Sequence, residues 1–366
     1  MDRRIELPEK LIIIGGLPRS GKTMLSNVIG SNSQIAIPQS GFGFFNFFSE
    51  EQYKSRGGFN ENLDFFFDSC WKSKSWKINR KMVVETGCER KDLYVVLLDT
   101  YRKAYFPERK YSGVYDHVAE EHFDKLVDWF GHERLKFIHP VRDPFDNYGS
   151  YVVARKIQEI QRNSRLPDAF VYRFCRMWGL STTMGTYRSL KYPDSYRVVY
   201  FNEFKEDPIA SVESLCKWIG VPVEVDNMLN MVNYNNKKQN SVFELKLKQE
   251  KGIGFVKKDK YDRREHLYQH ELDAIRAISC PNLLHAIGYE KQNVIVNWKS
   301  QEKVVDASLY ALNLNTIVKS YLSVIPPRQV LYIYLRHLLD SIKDILFIFL
   351  VLQKRVLIKL LDKIKR

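Results

Sequence analysis

The segment LIIIGGLPRSGKTML, Leu11 to Leu25, constrains this chain more than any other. An apolar run leads into a glycine-punctuated turn and then a helix-like start, in the order strand, loop, helix. Gly16, Gly21, Lys22 and Thr23 fill every required place of the pattern G-x-x-x-x-G-K-[ST]. Glycines let backbone N–H groups approach an anion closely, and the N-terminus of the following helix adds partial positive charge. Lys22 adds a full charge and Thr23 a hydroxyl. The segment therefore predicts a phosphate-binding loop on an α/β fold, without saying which phosphate compound it takes.

A second segment narrows the choice. FIHPVRDPFDNYGSY, Phe137 to Tyr151, reads as a strand that ends in Arg142, followed by Pro144 and a helix carrying Ser150. An arginine at a strand end offers a planar fork to a phosphate. Proline suits the first turn of a helix, where its missing N–H costs nothing. Ser150 would then add a hydroxyl from about two turns along.

Pro18-Arg19-Ser20-Gly21 resembles the 5′-phosphosulfate loop of sulfotransferases that use 3′-phosphoadenosine 5′-phosphosulfate (PAPS). In that family a threonine is usual where Lys22 stands. Arg142 with Ser150 is similar to the family's 3′-phosphate motif. The segment Arg197–Pro208 resembles its strand-plus-YEDL-x-x-DP element, with Phe201 in place of the usual tyrosine. Leu215–Pro222 resembles the helix end that follows, and the glycine-rich basic stretch around Lys257 and Lys258 resembles a late loop over the 3′-phosphate. The resemblance covers roughly residues 10–290. It implies a mainly parallel sheet flanked by helices, PAPS as sulfuryl donor and no metal. It gives Pro18, Arg19, Ser20, Gly21, Lys22, Thr23, Arg142, Ser150, Lys257 and Lys258 to donor binding, with Arg19 and Lys22 also stabilising transferred charge.

Transfer to a hydroxyl needs a general base. The family's histidine follows a Lys-Thr pair at the end of the strand preceding the arginine strand. Tyr115-Asp116-His117 holds that place here, so His117 is the first candidate, with Asp116 as its orienting partner or as the base itself. Glu85, at the end of an apolar run, is the second.

The remaining pattern supports alternation of strands and helices. Leu11–Gly15, Gln34–Pro38, Lys110–His117 and Leu135–Val141 read as strands; Thr23–Gly30, Glu89–Phe106 and Ala119–Phe130 read as helices. Residues 41–110 are rich in aromatic side chains, which serve either extra core or an acceptor-binding lobe. Three regions follow: a catalytic unit over 1–290, a linker over 291–327, and a tail over 328–366. The tail has neither Gly nor Pro and carries nine Lys/Arg against three Asp/Glu. Its longest apolar run, Ile345–Leu352, is far short of the roughly 18 residues that span a bilayer. A basic amphipathic helix of this kind suits an anionic membrane surface, or packing against protein.

Net charge of +14 calls for an anionic partner. No zinc-finger spacing or RNP pattern points to nucleic acid. The five cysteines lack C-x-x-C spacing, and the polar N-terminus lacks an apolar h-region. Together these features suggest a cytoplasmic enzyme at the periphery of the inner membrane face, acting on a glycan or lipid-linked acceptor, with homo-oligomerisation open. Two rival readings stay open on sequence. One is a P-loop kinase or NTPase using Mg-ATP, with Asp99 as a metal ligand; the other is a non-catalytic membrane-associated adaptor.

Overall fold

A computed structural model describes residues 7–38, 40–84, 87–117, 119–162, 170–230 and 263–278. Glu85, Lys257, Lys258 and the whole of the 291–327 and 328–366 segments lie outside the described residues. No described helix is long and apolar enough to cross a membrane.

Five parallel strands form one sheet: β1 Leu11–Ile14, β2 Ile35–Ala36, β3 Tyr111–Tyr115, β4 Leu135–Val141 and β5 Tyr196–Tyr200, in the order β2-β3-β1-β4-β5. β1 is central, and Leu11, Ile12, Ile13 and Ile14 are all inaccessible to solvent. A strand buried on both faces reads as an unbroken apolar run, which is why this one stands out in the sequence. Leu11 and Ile13 join the aromatic cluster on one face; Ile12 and Ile14 join Leu25, Val28, Ile29, Leu215 and Ile219 on the other. Gly113 permits the sheet to close: a Cβ there would lie 2.9 Å from Ile37 Cγ1 and 3.0 Å from the Ile12 carbonyl oxygen.

The helices in chain order are α1 Lys22–Ile29, α2 Phe44–Phe47, α3 Glu50–Ser55, α4 Phe59–Asp68, α5 Trp71–Trp76, α6 Arg90–Tyr105, α7 Phe123–Phe130, α8 Pro144–Arg162, α9 Phe170–Lys191, α10 Phe201–Glu206, α11 Pro208–Ile219 and α12 Val225–Leu229, followed by a helix over Gln269–Ile278. Local signals set several of their ends. Asp207 caps α11 by accepting the Ala210 N–H at 3.0 Å, Pro208 opens the helix, and Gly220 closes it at φ 79°. Asp143 caps α8 in the same way through the Asp146 N–H at 3.0 Å.

The expected strands and helices are present, with trimmed ends. The stretch expected as one helix over Ala119–Phe130 begins as a 3-10 turn at Ala119–His122 and becomes α-helical at Phe123. Asp99 lies on α6, where it pairs with Arg102 at 2.6 Å and Lys103 at 2.7 Å. Its carboxylate is thus paired within a helix and does not end a strand. Cys70, Cys88, Cys175 and Cys216 are free thiols, and all except Cys88 are buried.

Candidate active site

In a parallel sheet the C-terminal strand ends share one edge, and the loops leaving them converge there. Here the loops after β1, β2, β3 and β4 bring four parts of the sequence together. The loop after β1 turns through left-handed backbone at Gly16 (φ 102°), Arg19 (φ 68°) and Gly21 (φ 107°). Arginine in that region costs about 1–3 kcal/mol of strain, a cost found mostly where function fixes the backbone. The glycines are sterically required. A Cβ on Gly16 would sit 3.0 Å from His139 Cδ2, and one on Gly21 would sit 2.3 Å from Phe201 Cδ2.

Lys22 opens α1 and is 3% exposed. Its ammonium folds back over the loop and donates to the carbonyl oxygens of Gly16 and Leu17. Burial lowers its pKa to about 8, against the pull of Glu120 and Asp116, so it stays mostly charged at neutral pH. The Ser20 hydroxyl is spent inside the loop, donating to the Leu17 carbonyl oxygen at 2.7 Å. Thr23 sits against the Tyr115 hydroxyl, and Pro18 is half-buried at the turn.

Two contacts tie this loop to the second sequence motif. Arg19 donates from Nε to Ser150 Oγ at 3.2 Å, and Arg142 donates from Nη1 to the Arg19 carbonyl oxygen at 3.4 Å. Arg142 leaves the end of β4, where the Trp178 indole N–H holds its carbonyl oxygen at 2.9 Å. The Phe201 ring lies under its guanidinium, 5.0 Å away. Burial, and then the charge of Arg142, lower the pKa of Arg19. Two guanidiniums held close within a fold raise the field that a dianion would relieve.

His117 follows β3, and its ring meets the Tyr115 ring edge-on at 6.3 Å. Surrounding protein, then Lys22, then Lys72 lower its pKa to about 4. His117 is exposed to water, which offsets part of the first cause. At neutral pH the ring is therefore uncharged, and the same shift weakens it as a proton acceptor. Asp116 meets the backbone N–H of His117, and no hydrogen bond joins it to the ring among the described residues. The Asp116 carboxylate accepts the N–H groups of Gly43 at 2.7 Å and Phe44 at 3.0 Å, capping α2. Burial raises its pKa to about 7 against those hydrogen bonds. Its oxygens are committed to backbone N–H groups, that of His117 among them, so it steadies the turn at His117 from the backbone.

Sequence reasoning missed two charged residues in this region. Glu120 is 2% exposed, and its Oε2 accepts the Gly16 N–H at 2.7 Å. It belongs to a buried chain in which Ser181 Oγ reaches both Glu120 Oε1 (3.4 Å) and His139 Nε2 (3.2 Å). His139 Nδ1 meets the Tyr196 hydroxyl at 2.5 Å. This network holds the loop from below; its only sequence mark was a second acid after β3. The other is Lys72, an apparently ordinary lysine within the aromatic stretch, which is buried with its ammonium on the Gly41 carbonyl oxygen.

Gly21→Ala is expected to lower stability by about 1–3 kcal/mol, since it combines a ring clash with left-handed backbone. Adding Phe201→Ala should relieve the clash but not the backbone strain. Urea unfolding of the single and double variants checks this, and equal stability of wild type and Gly21→Ala would contradict the loop geometry.

A model of the sulfotransferase family matches residues 11–225, which is more than half of the chain. No curated protein sequence matches. Among solved structures, the chain is similar to the sulfotransferase domain of the Synechococcus PCC 7002 olefin synthase, at 15% identity and TM-score 0.42, over 84% of this chain and 96% of that one. It is also similar to a sulfotransferase domain from the curacin biosynthetic pathway, at 16% identity and TM-score 0.42, over 83% and 99%. A mouse sulfotransferase complexed with PAP gives 12% identity and TM-score 0.41, over 82% and 90%. On the extent of the family match, this chain belongs to the sulfotransferase family.

Proposed function

We propose that the protein transfers a sulfuryl group from PAPS to an acceptor hydroxyl of a glycan or glycolipid. The observation that carries this reading is the joining of Arg19, Ser150 and Arg142, two motifs separated by 123 residues, into one cationic constellation beside the loop. The residues fit such a donor. Lys22, Arg19 and the N-terminus of α1 would hold the 5′ end, while Arg142 and Ser150 would hold the 3′-phosphate. When bound, the donor supplies the sulfuryl group and a bisphosphate leaving group. Lys22 and the loop N–H groups would stabilise charge on the departing phosphate. His117 would take the proton of the acceptor hydroxyl through its neutral imidazole. The demands resemble those of phosphoryl transfer, which rest mainly on positioning and charge.

The acceptor class and the cellular setting come from the sequence. A basic amphipathic segment over 328–366 suits attachment to an anionic leaflet, which would place a cytoplasmic enzyme beside lipid-linked acceptors.

Arg142→Ala should weaken 3′,5′-bisphosphoadenosine by about 2–4 kcal/mol in calorimetry without magnesium, and barely change adenosine 5′-phosphosulfate, which lacks the 3′-phosphate. Equal losses for both nucleotides would falsify the assignment. A magnesium requirement would favour the NTPase reading.

His117→Ala should reduce kcat about 10²–10⁴-fold with donor affinity intact. Normal turnover in that variant, with a loss in Glu85→Gln, would move the base to Glu85.

The full chain should co-sediment with anionic liposomes at low salt and less with neutral ones. A chain ending at Ile325 should stay in solution and keep donor binding. Vesicle binding by the shortened chain would place the membrane contact elsewhere.

A further inference from the structure

Phe201 is an apolar residue set among charged ones, and the mechanism above gives it no part. It follows β5, opens α10 and is 8% exposed. The sheet decides what it meets. β4 and β5 are parallel neighbours with Val141 opposite Tyr200, so the residues that come next, Arg142 and Phe201, leave the sheet edge side by side. The guanidinium carbon of Arg142 lies over the Phe201 ring, 5.0 Å from its centre. The same ring presses on the loop after β1: a Cβ on Gly21 would lie 2.3 Å from its Cδ2 and 2.4 Å from its Cε2. One ring is thus wedged between the turn that opens α1 and the arginine of the second motif.

Arg142 has need of such a support. It is 6% exposed, and the Arg19 guanidinium shares the site with it. Like charges held close repel more strongly where water is excluded. The Trp178 indole N–H fixes the main chain of Arg142 at its carbonyl oxygen, at 2.9 Å. Its side chain donates from Nη1 to the Arg19 carbonyl oxygen at 3.4 Å, which is long for a hydrogen bond. The ring adds an attraction of another kind. A carboxylate in that place would take up the N–H donors that a phosphate needs. An aromatic face attracts the cation without offering an acceptor to those donors.

From these contacts we infer that Phe201 is a positioning residue of the donor site. Its ring, braced on Gly21, holds the Arg142 guanidinium at a set distance from the phosphate loop, and so favours a nucleotide with phosphates at both ends over one with a 5′ group alone. That role rests on the reading of the site as one for PAPS.

The test is calorimetry on the full chain without magnesium, with 3′,5′-bisphosphoadenosine and adenosine 5′-phosphosulfate as the two probes. Phe201→Leu keeps apolar bulk against Gly21 and removes the ring face. It should weaken the bisphosphate about 5–30-fold, as losing a desolvated cation–π contact would, and change the 5′-phosphosulfate less than about twofold. Phe201→Tyr keeps the ring and should stay near wild type for both. Beside Arg142→Ala, Phe201→Leu should cost nothing further, because a residue that acts through Arg142 then has nothing to act on. Thermal melting confirms that each variant is folded, and Phe201→Met takes the place of Phe201→Leu should that variant not fold. An unchanged bisphosphate affinity in Phe201→Leu would overturn the inference. So would equal losses for the two nucleotides, an equal loss in Phe201→Tyr, or a full loss retained beside Arg142→Ala, since each marks packing rather than placement of the arginine. A wild type that binds neither nucleotide removes the donor reading and this role with it. A wild type that binds the bisphosphate no better than Phe201→Leu does removes this role alone.

Discussion

The burial of β1 on both faces is the constraint on which the rest of the site depends. Four apolar side chains with no solvent exposure fix this strand at the centre of the sheet. At about 1.5–3 kcal/mol for each fully buried large aliphatic side chain, their transfer from water contributes on the order of 10 kcal/mol before chain entropy is charged against it. That burial fixes where the chain must turn. The loop that follows emerges between the ends of β3 and β4, within reach of His117 on one side and Arg142 on the other. A strand one register out would expose its apolar face and misplace the loop, so packing and function select the same register.

The site concentrates positive charge where the fold would ordinarily avoid it. Lys22, Arg142 and Lys72 are nearly inaccessible, and Arg19 is half-buried beside them. Two acids are close by, but both are engaged elsewhere. Asp116 caps α2, and Glu120 accepts the Gly16 N–H and the Ser181 hydroxyl. Each acid therefore lowers the electrostatic cost of the lysines without forming a direct ion pair that a ligand would have to break. That distinction matters, because a buried salt bridge would compete with an anionic ligand for the same guanidinium or ammonium.

Much of this was legible in the sequence, for identifiable reasons. Glycine, proline and lysine at fixed spacing mark a phosphate loop because each is tied to a local backbone demand. Asp207-Pro208 and Gly220 likewise mark helix ends through local hydrogen bonding and φ. The contact between Arg19 and Ser150 was accessible only because two motifs implied a common ligand. Asp116 was read through its neighbour His117, whereas the N–H donors to its carboxylate include Gly43 and Phe44, more than 70 residues earlier in the chain. Lys72 had no local signal, and Glu120 only that of a second acid after β3. Their meaning lies in burial and in partners far away in sequence, which periodicity and spacing do not encode. Residues 41–110 were ambiguous between core and acceptor lobe because an aromatic ring serves either use. Most of its rings, from Phe42 to Phe66 and Trp76, are buried, while Trp71 is 56% exposed.

Those rings still bear on the loops around β3, through α5 and α2. Trp76 packs on Phe42 with centroids 4.8 Å apart and on Phe66 at 5.9 Å, and Phe42 and Phe44 both meet Tyr94 within 5.4 Å. Each such pair adds about 0.5–1.5 kcal/mol beyond area burial. Several pairs together match the several kcal/mol that a buried ammonium costs. The same segment holds α5 against the 40–41 loop, with the Lys72 charge inside it. Asp116 fastens the same segment to the end of β3 through α2. A loosened ring cluster would move Lys72 and the α2 cap together, relative to His117. Core packing in residues 41–110 and the placement of the turn after β3 are thus coupled by geometry, even though no ring of the cluster belongs to the loop after β1.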